Sequence, residues 1–203
     1  MDTEVDNLQT EKIRFAGISG SLRAGSLNTK LLRSASRLLP ENTEMEIVEI
    51  GTLPLYNSDL EGDSLPLSVL KFRESLGRAD ALVLVSPEYN YSIPGTLKNA
   101  IDWASRGKDS PIFGKAVALM GATMGKWGTA RMQLAFRPVF QCLDMTPVNK
   151  PEVLVAEAAD KFDESGHLRD ETTEALIRRQ LRALKTLVVN SRKLKEEEHL
   201  INS

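Results

Sequence analysis

Apolar residues along this chain fall into short solid runs, separated by stretches where they recur every three or four positions. Ile13-Arg14-Phe15-Ala16-Gly17-Ile18-Ser19 reads as a first strand, and Ala81-Leu82-Val83-Leu84-Val85 as a buried one. Met45 to Ile50 sets Met45, Ile47 and Ile50 among acids, the pattern of a strand nearer a sheet edge. Lys115 to Met120 and Val153 to Ala156 supply a fourth and a fifth strand. Between them lie helical patterns. Leu27 to Leu39 has Ser26 or Asn28 near its N-cap and Pro40 as its stop. Leu67 to Arg78 offers Leu67, Leu70, Phe72 and Leu76 as core positions, after a Pro- and Gly-punctuated loop from Gly51 to Pro66. A further helix runs from about Pro94, a tolerated first-turn proline, to Ser105. Thr129 to Leu143 is helical, with Pro138 expected to kink or interrupt it. The last helix has the clearest period, through Leu176, Ile177, Leu181, Leu184, Leu187 and Val188.

This strand–helix alternation predicts an α/β fold with a doubly wound, mainly parallel sheet. Five strands suit the flavodoxin-like order 2-1-3-4-5. The expected organisation is one domain over residues 12–190, a polar N-terminal extension over 1–11 and a charged, fraying tail over 191–203. At 203 residues the chain can bury one substantial core. A formal charge of -2 gives no global case for nucleic acid or an anionic membrane. No apolar run approaches the roughly 20 residues that span a bilayer. The first ten residues are acidic and polar, unlike a signal peptide. The single Cys142 cannot form an intrachain disulfide and sits in an apolar helical stretch, where a buried thiol is expected. No Cys/His cluster offers a metal site. These features point to a reduced, cytoplasmic enzyme or binding domain.

Candidate chemistry concentrates in three loops, each after a predicted strand. Gly20-Ser21-Leu22-Arg23-Ala24-Gly25-Ser26-Leu27-Asn28 follows the first. A dinucleotide fingerprint fails there, because Gly17 is followed by Ile18 and Ser19 before Gly20. A Walker loop fails too, since Ser26 stands where lysine is required. What remains suits one terminal phosphate. Ser19, Ser21, Ser26, Asn28 and Thr29 are candidate donors, Arg23 supplies charge, and the helix start adds free N–H groups. The competing reading is a polar turn with ordinary caps.

The second loop, Pro87-Glu88-Tyr89-Asn90-Tyr91-Ser92, can hold a flat ring with a polar edge. Its competing reading makes Tyr89 and Tyr91 packing residues and Glu88 a helix-dipole partner. The third runs from Gly121 to Gly128, where Thr123, Gly125 and Gly128 can approach a ligand closely. Lys126 and Trp127 fit a ligand border or a plain strand-to-helix connection equally well. A phosphate seat and a ring seat on one sheet point to a mononucleotide, with flavin the best candidate. Trp103 reads as packing or a dimer contact, and His167 and His199 have no sequence-local catalytic partner.

Gly20-Ser21-Leu22-Arg23, then Pro87 to Ser92, then Leu97-Lys98-Asn99-Ala100-Ile101-Asp102-Trp103, resemble the NADPH-dependent FMN reductase family, in its soluble quinone and chromate reductase branch. The resemblance covers about residues 12–190. It implies bound FMN, NAD(P)H as donor, and a quinone or other small acceptor, with chromate, azo compounds and free flavin as further acceptors. It implies phosphate contacts from Ser21, Arg23, Ser26, Asn28 and Thr29, and ring contacts from Pro87 to Ser92. It also implies a homodimer or homotetramer, with Arg131 and Glu152 at positions linked to tetramer contacts. The chemistry expected is a ping-pong hydride exchange on the flavin, with no catalytic side chain. An FMN-binding electron carrier or a flavin-sensing module is the alternative. Gly128-Thr129, where relatives often carry adjacent glycines, is a departure from the pattern.

Overall fold

The run Ala81–Val85 is wholly buried because it lies at the middle of a parallel sheet with helices on both faces. The computed structural model describes residues 12–202, so the extension over 1–11 lies outside the described residues. The strands are β1 (Ile13–Ser19), β2 (Thr43–Ile47), β3 (Ala81–Val85), β4 (Ala116–Ala122), β5 (Thr146–Pro147) and β6 (Val153–Val155). The helices are α1 (Leu27–Arg37), α2 (Leu67–Gly77), α3 (Gly95–Ala104), α4 (Ala130–Cys142) and α5 (Glu171–Asn202). The sheet order is β2-β1-β3-β4-β5, all parallel, which is the flavodoxin-like order expected.

The fifth position is shared by two short segments. β5 pairs with the start of β4, Thr146 opposite Ala116, and β6 with its end, Val153 opposite Met120. Pro147 and Pro151 have no N–H to donate, so this edge does not continue as one ladder.

Side chains alternate between the two faces. Phe15, Val83, Val85 and Ala118 meet Leu31 and Leu32 of α1 and Ile177, Leu181 and Leu184 of α5. Ile18, Leu82, Leu84 and Leu119 meet Phe72, Leu76, Leu97, Ile101 and Phe136 of α2, α3 and α4. Each fully buried Leu, Ile or Phe contributes about 1.5–3 kcal/mol.

Several expectations need correction. On α2 the buried set is Val69, Phe72 and Leu76, while Leu67 and Leu70 are exposed. After β2, Val48 and Ile50 are buried and Ile47 is exposed, because the strand ends at Ile47 and the chain turns. Pro138 lies inside α4 without interrupting it. Cys142, expected to be buried, is exposed at the end of α4. The helix expected to end near Asn190 runs on to Asn202. Arg192 of that segment bonds Asp80 at 2.7 Å, anchoring it beside the amino end of β3.

Candidate functional site

The loops after β1, β3 and β4 leave the sheet at its carboxyl edge, where open parallel sheets bind ligands. Hydrogen bonds tie the first loop to both neighbours. The Gly20 N–H donates to the Val85 carbonyl at 2.8 Å, and Thr96 Oγ1 of α3 donates to the Gly20 carbonyl at 3.2 Å. Asn28 reaches the end of β4: its Nδ2 donates to the Ala122 carbonyl at 2.9 Å, and its Oδ1 accepts the Ala122 N–H at 2.8 Å.

Most polar groups predicted for this loop serve as struts. Ser26 Oγ caps α1, accepting the Asn28 and Thr29 N–H groups, both at 3.2 Å. Ser19 Oγ and Thr29 Oγ1 bond each other at 2.8 Å. Ser21 is buried, and its Oγ accepts the Arg23 N–H at 3.4 Å. Arg23 is different. It is exposed and forms no ion pair with a described residue. The N–H groups of Leu22, Ala24 and Gly25 also make no hydrogen bond to a described residue. An uncompensated cation among open amides suits an anion.

In the second loop Pro87 is buried, and Tyr89 and Ser92 exchange backbone hydrogen bonds at 3.2 and 2.9 Å. Asn90 (φ 49°) and Tyr91 (φ 64°) make the tight turn between them. Both central residues have positive φ, the arrangement of a type I′ hairpin, which normally takes Asn-Gly. Tyr91 stands where glycine is preferred. Tyr89 and Tyr91 are exposed at the rim. Glu88 points elsewhere. Its Oε2 accepts the Arg131 and Met132 N–H groups at 2.9 and 3.1 Å, capping α4, and its Oε1 meets Arg131 Nη1 at 3.2 Å. The helix-dipole reading of Glu88 describes this side chain.

The third loop is fixed to β6 and the segment beyond it. The Thr123 N–H donates to Val155 O and the Ala158 N–H to Thr123 O, both at 3.0 Å. Thr123 Oγ1 accepts the Gly125 N–H at 3.3 Å. Gly128 has φ +61°, and a Cβ there would sit 3.0 Å from Leu154 Cβ. Gly121 is stricter: a Cβ would lie 2.1 Å from Thr129 Oγ1 and 2.5 Å from the Ser86 carbonyl oxygen. Lys126 and Trp127 project into solvent. The Arg131 guanidinium bridges the second and third loops, 4.0 Å from the Tyr91 ring centroid and 5.7 Å from that of Trp127.

A fourth segment escaped the sequence reading. Asn99 of α3 accepts the Tyr56 N–H at 2.7 Å and donates to Pro54 O at 2.9 Å, and Trp103 Nε1 donates to the same carbonyl at 2.8 Å. Asn99 and Trp103 are four residues apart on one helix face, and that spacing was the available signal. Trp103 is therefore a packing and anchoring residue. The Tyr56 phenol is held above its ordinary pKa by its hydrogen bond to the Glu61 carboxylate.

Outside the crevice, Ser165, His167 and Asp163 do not form a relay. Both Ser165 Oγ (2.7 Å) and Asp163 Oδ2 (3.6 Å) approach the same nitrogen, His167 Nδ1. Clefts between β2 and α2 share no residue with the three loops. No group of His, Cys, Asp and Glu among the described residues could hold a metal ion, and no helix there is long and apolar enough to cross a membrane. The donor set fits FMN: one free guanidinium and open amides for a phosphate, and backbone polar groups with two exposed tyrosines for a ring.

Known proteins agree with that fit. The profile described as NADPH-dependent FMN reductase matches residues 13–160. An NAD(P)H-dependent FMN reductase of Pseudomonas aeruginosa is 46% identical over 88% of this chain and 97% of its own length. A quinone reductase of Escherichia coli K12 is 38% identical over 81% of this chain and 89% of its own. The solved structure of FerB, a flavoenzyme NAD(P)H:(acceptor) oxidoreductase from Paracoccus denitrificans, superposes with a TM-score of 0.79. It is 33% identical, covering 87% of this chain and 97% of its own. This chain belongs to the NADPH-dependent FMN reductase family and is an FMN-dependent NAD(P)H oxidoreductase.

Proposed function

We propose that the protein passes electrons from NAD(P)H to quinones, with chromate, azo compounds and free flavin as lesser acceptors. The observation that carries this reading is Arg23, with no ion-pair partner among the described residues, set among open amides on the same sheet edge as an exposed tyrosine hairpin. Relatives named quinone reductase at 38–42% identity support the choice of acceptor.

When bound, FMN would supply the two-electron redox chemistry between donor and acceptor. Arg23, Ser21 and the N–H groups of Leu22, Ala24 and Gly25 would hold its phosphate. The backbone of Tyr89, Asn90 and Ser92 and the Thr123 hydroxyl would meet the polar edge of its ring. Gly125 leaves that side open for close approach, while Gly128 lets the loop pack tightly against Leu154. Ser19, Ser26, Asn28, Thr29 and Glu88 would act by fixing the loops to one another. No side chain is assigned as nucleophile or general acid.

One ring seat serves two substrates, so donor and acceptor must take turns in it. That is a ping-pong exchange. We assign the working protein to the cytoplasm as a homodimer or homotetramer. Initial rates over a grid of NAD(P)H and benzoquinone concentrations test the reading. Parallel double-reciprocal lines are expected. Intersecting lines overturn the alternation, and FMN-loaded protein that oxidises NAD(P)H but never reduces benzoquinone overturns the acceptor.

A further inference from the structure

Thr123, Gly125 and Gly128 of the third loop all rest on β6 or on the residues just after it. The Thr123 N–H donates to Val155 O, and Thr123 O accepts the Ala158 N–H, both at 3.0 Å. Gly125 O accepts the Glu157 N–H at 3.0 Å. Gly128 packs against Leu154, where a Cβ would come within 3.0 Å of Leu154 Cβ. β6 therefore carries the loop. Yet β6 has three residues and pairs, among the described strands, with the end of β4 alone, a shorter ladder than most strands make. Burial of Val153 and Val155 holds it to the core. Apolar contact is non-directional and does not fix a strand's position along its neighbour.

Two buried glutamines supply the directional bonds, one from a helix on each face of the sheet. Gln133 of α4, 6% exposed, donates from Nε2 to Val153 O at 3.1 Å. Gln180 of α5, 1% exposed, donates from Nε2 to Leu119 O of β4 at 3.2 Å and to Pro151 O, two residues before β6, at 2.9 Å. One amide group thus ties the lead-in of β6 to β4. Gln180 Oε1 is buried and accepts no hydrogen bond from a described residue. A bare buried acceptor is costly, so this position uses glutamine for what it donates.

We propose that Gln133 and Gln180 are positioning residues for the flavin ring: by clamping β6 from both faces they set where Thr123 and Gly125 meet its polar edge. This deepens the reductase reading and rests on it. Both side chains are buried, so they act through the loop and not by contact with a ligand. Hydrogen bonds weaken steeply with misalignment, so a small slip of β6 is felt at the ring.

Methionine matches glutamine in length and donates nothing, so Gln133→Met/Gln180→Met removes the clamp and keeps the volume. Hydrogen exchange on the FMN-loaded protein should show the Thr123, Glu157 and Ala158 amides opening about tenfold more often. The Gly20 and Ser26 amides of the first loop should keep their native rate. The visible circular dichroism of bound FMN should change at full occupancy. Gln180→Glu adds a readout that packing alone does not move. Its carboxylate cannot donate to the two carbonyls, so its pKa rises above the ordinary value of about 4.3. The altered flavin signal should return toward native as pH falls from about 8 to about 5. A signal that ignores pH overturns the part given to Gln180. Native exchange at Thr123, Glu157 and Ala158, or an equal rise at Gly20 and Ser26, overturns the clamp. The single methionine variants are read in the same way if the double one does not fold. Failure of the ring seat looks different: faster exchange in the third loop with the flavin signal unchanged leaves the clamp standing and overturns the contact between this loop and the ring.

Discussion

Asn28→Ala removes the joint between the phosphate loop and the end of β4. The side chain is 3% exposed and makes two hydrogen bonds to one residue, at 2.9 Å to the Ala122 carbonyl and 2.8 Å from the Ala122 N–H. Ala122 is itself 2% exposed, so water does not replace the lost partner freely. Each buried polar group left without a bond costs about 1–3 kcal/mol, so two together cost about 2–6 kcal/mol. Urea unfolding of the FMN-free protein reads this without ligand linkage. The unfolding free energy should fall by that amount, read as a lower midpoint with the slope nearly unchanged. Asn28→Asp sharpens the test. One oxygen can still accept the Ala122 N–H, but the other faces a carbonyl, so the folded state favours the protonated acid. Its folded pKa rises above the unfolded value, and the stability lost at neutral pH returns as pH falls toward about 4. A loss below about 0.5 kcal/mol for Asn28→Ala is the range of a surface change and would refute the joint.

Gly121→Ala places a Cβ 2.1 Å from Thr129 Oγ1 and 2.5 Å from the Ser86 carbonyl oxygen. It should cost about 3 kcal/mol or more, or abolish soluble expression. Tyr91→Gly relieves a left-handed residue and should raise the unfolding free energy by about 1 kcal/mol, read as a higher urea midpoint; an unchanged or lower midpoint would contradict the strain. Asp163 accepts hydrogen bonds from Ser165, the His167 N–H and Arg169, and Asp170 from Thr173, which hold both carboxyls below the ordinary 3.8. Depressed carboxyl pKa values give stability above the unfolded value that is lost as pH falls through the folded one. Acid unfolding followed by circular dichroism should therefore be shallower for Asp163→Asn and Asp170→Asn.

The sheet was legible because burial on both faces leaves a solid apolar run, as in Ala81–Val85, and no competing pattern. The three loops were legible because each follows such a run. Errors fell where one-dimensional pattern underdetermines direction. Leu67, Val69 and Leu70 are all apolar on α2, and only packing against the sheet selects Val69 for burial. Cys142 shares an apolar stretch with Phe140, yet the end of α4 turns Phe140 inward and Cys142 outward. The divided fifth position needed the pairing partners on β4, which the sequence does not carry. Within the site, residue types were visible but their partners were not. A serine, asparagine or glutamate that can donate or accept toward a ligand can equally brace a loop. In the structure Ser26, Asn28 and Glu88 hold hydrogen bonds within the loops, whereas the side chains of Arg23 and Lys126 pair with no described residue. The extension of α5 went unread because its charged residues between Lys193 and Glu198 hide the anchor at Arg192.

Titrating FMN with the FMN-free chain while following flavin fluorescence is the most direct check on the crevice. Stoichiometric quenching by the native sequence is predicted, with affinity weakened about tenfold in Arg23→Ala because one charged phosphate contact is lost. A correctly folded chain that leaves the fluorescence unchanged, or an Arg23→Ala chain that binds FMN as tightly as the native one, would contradict it.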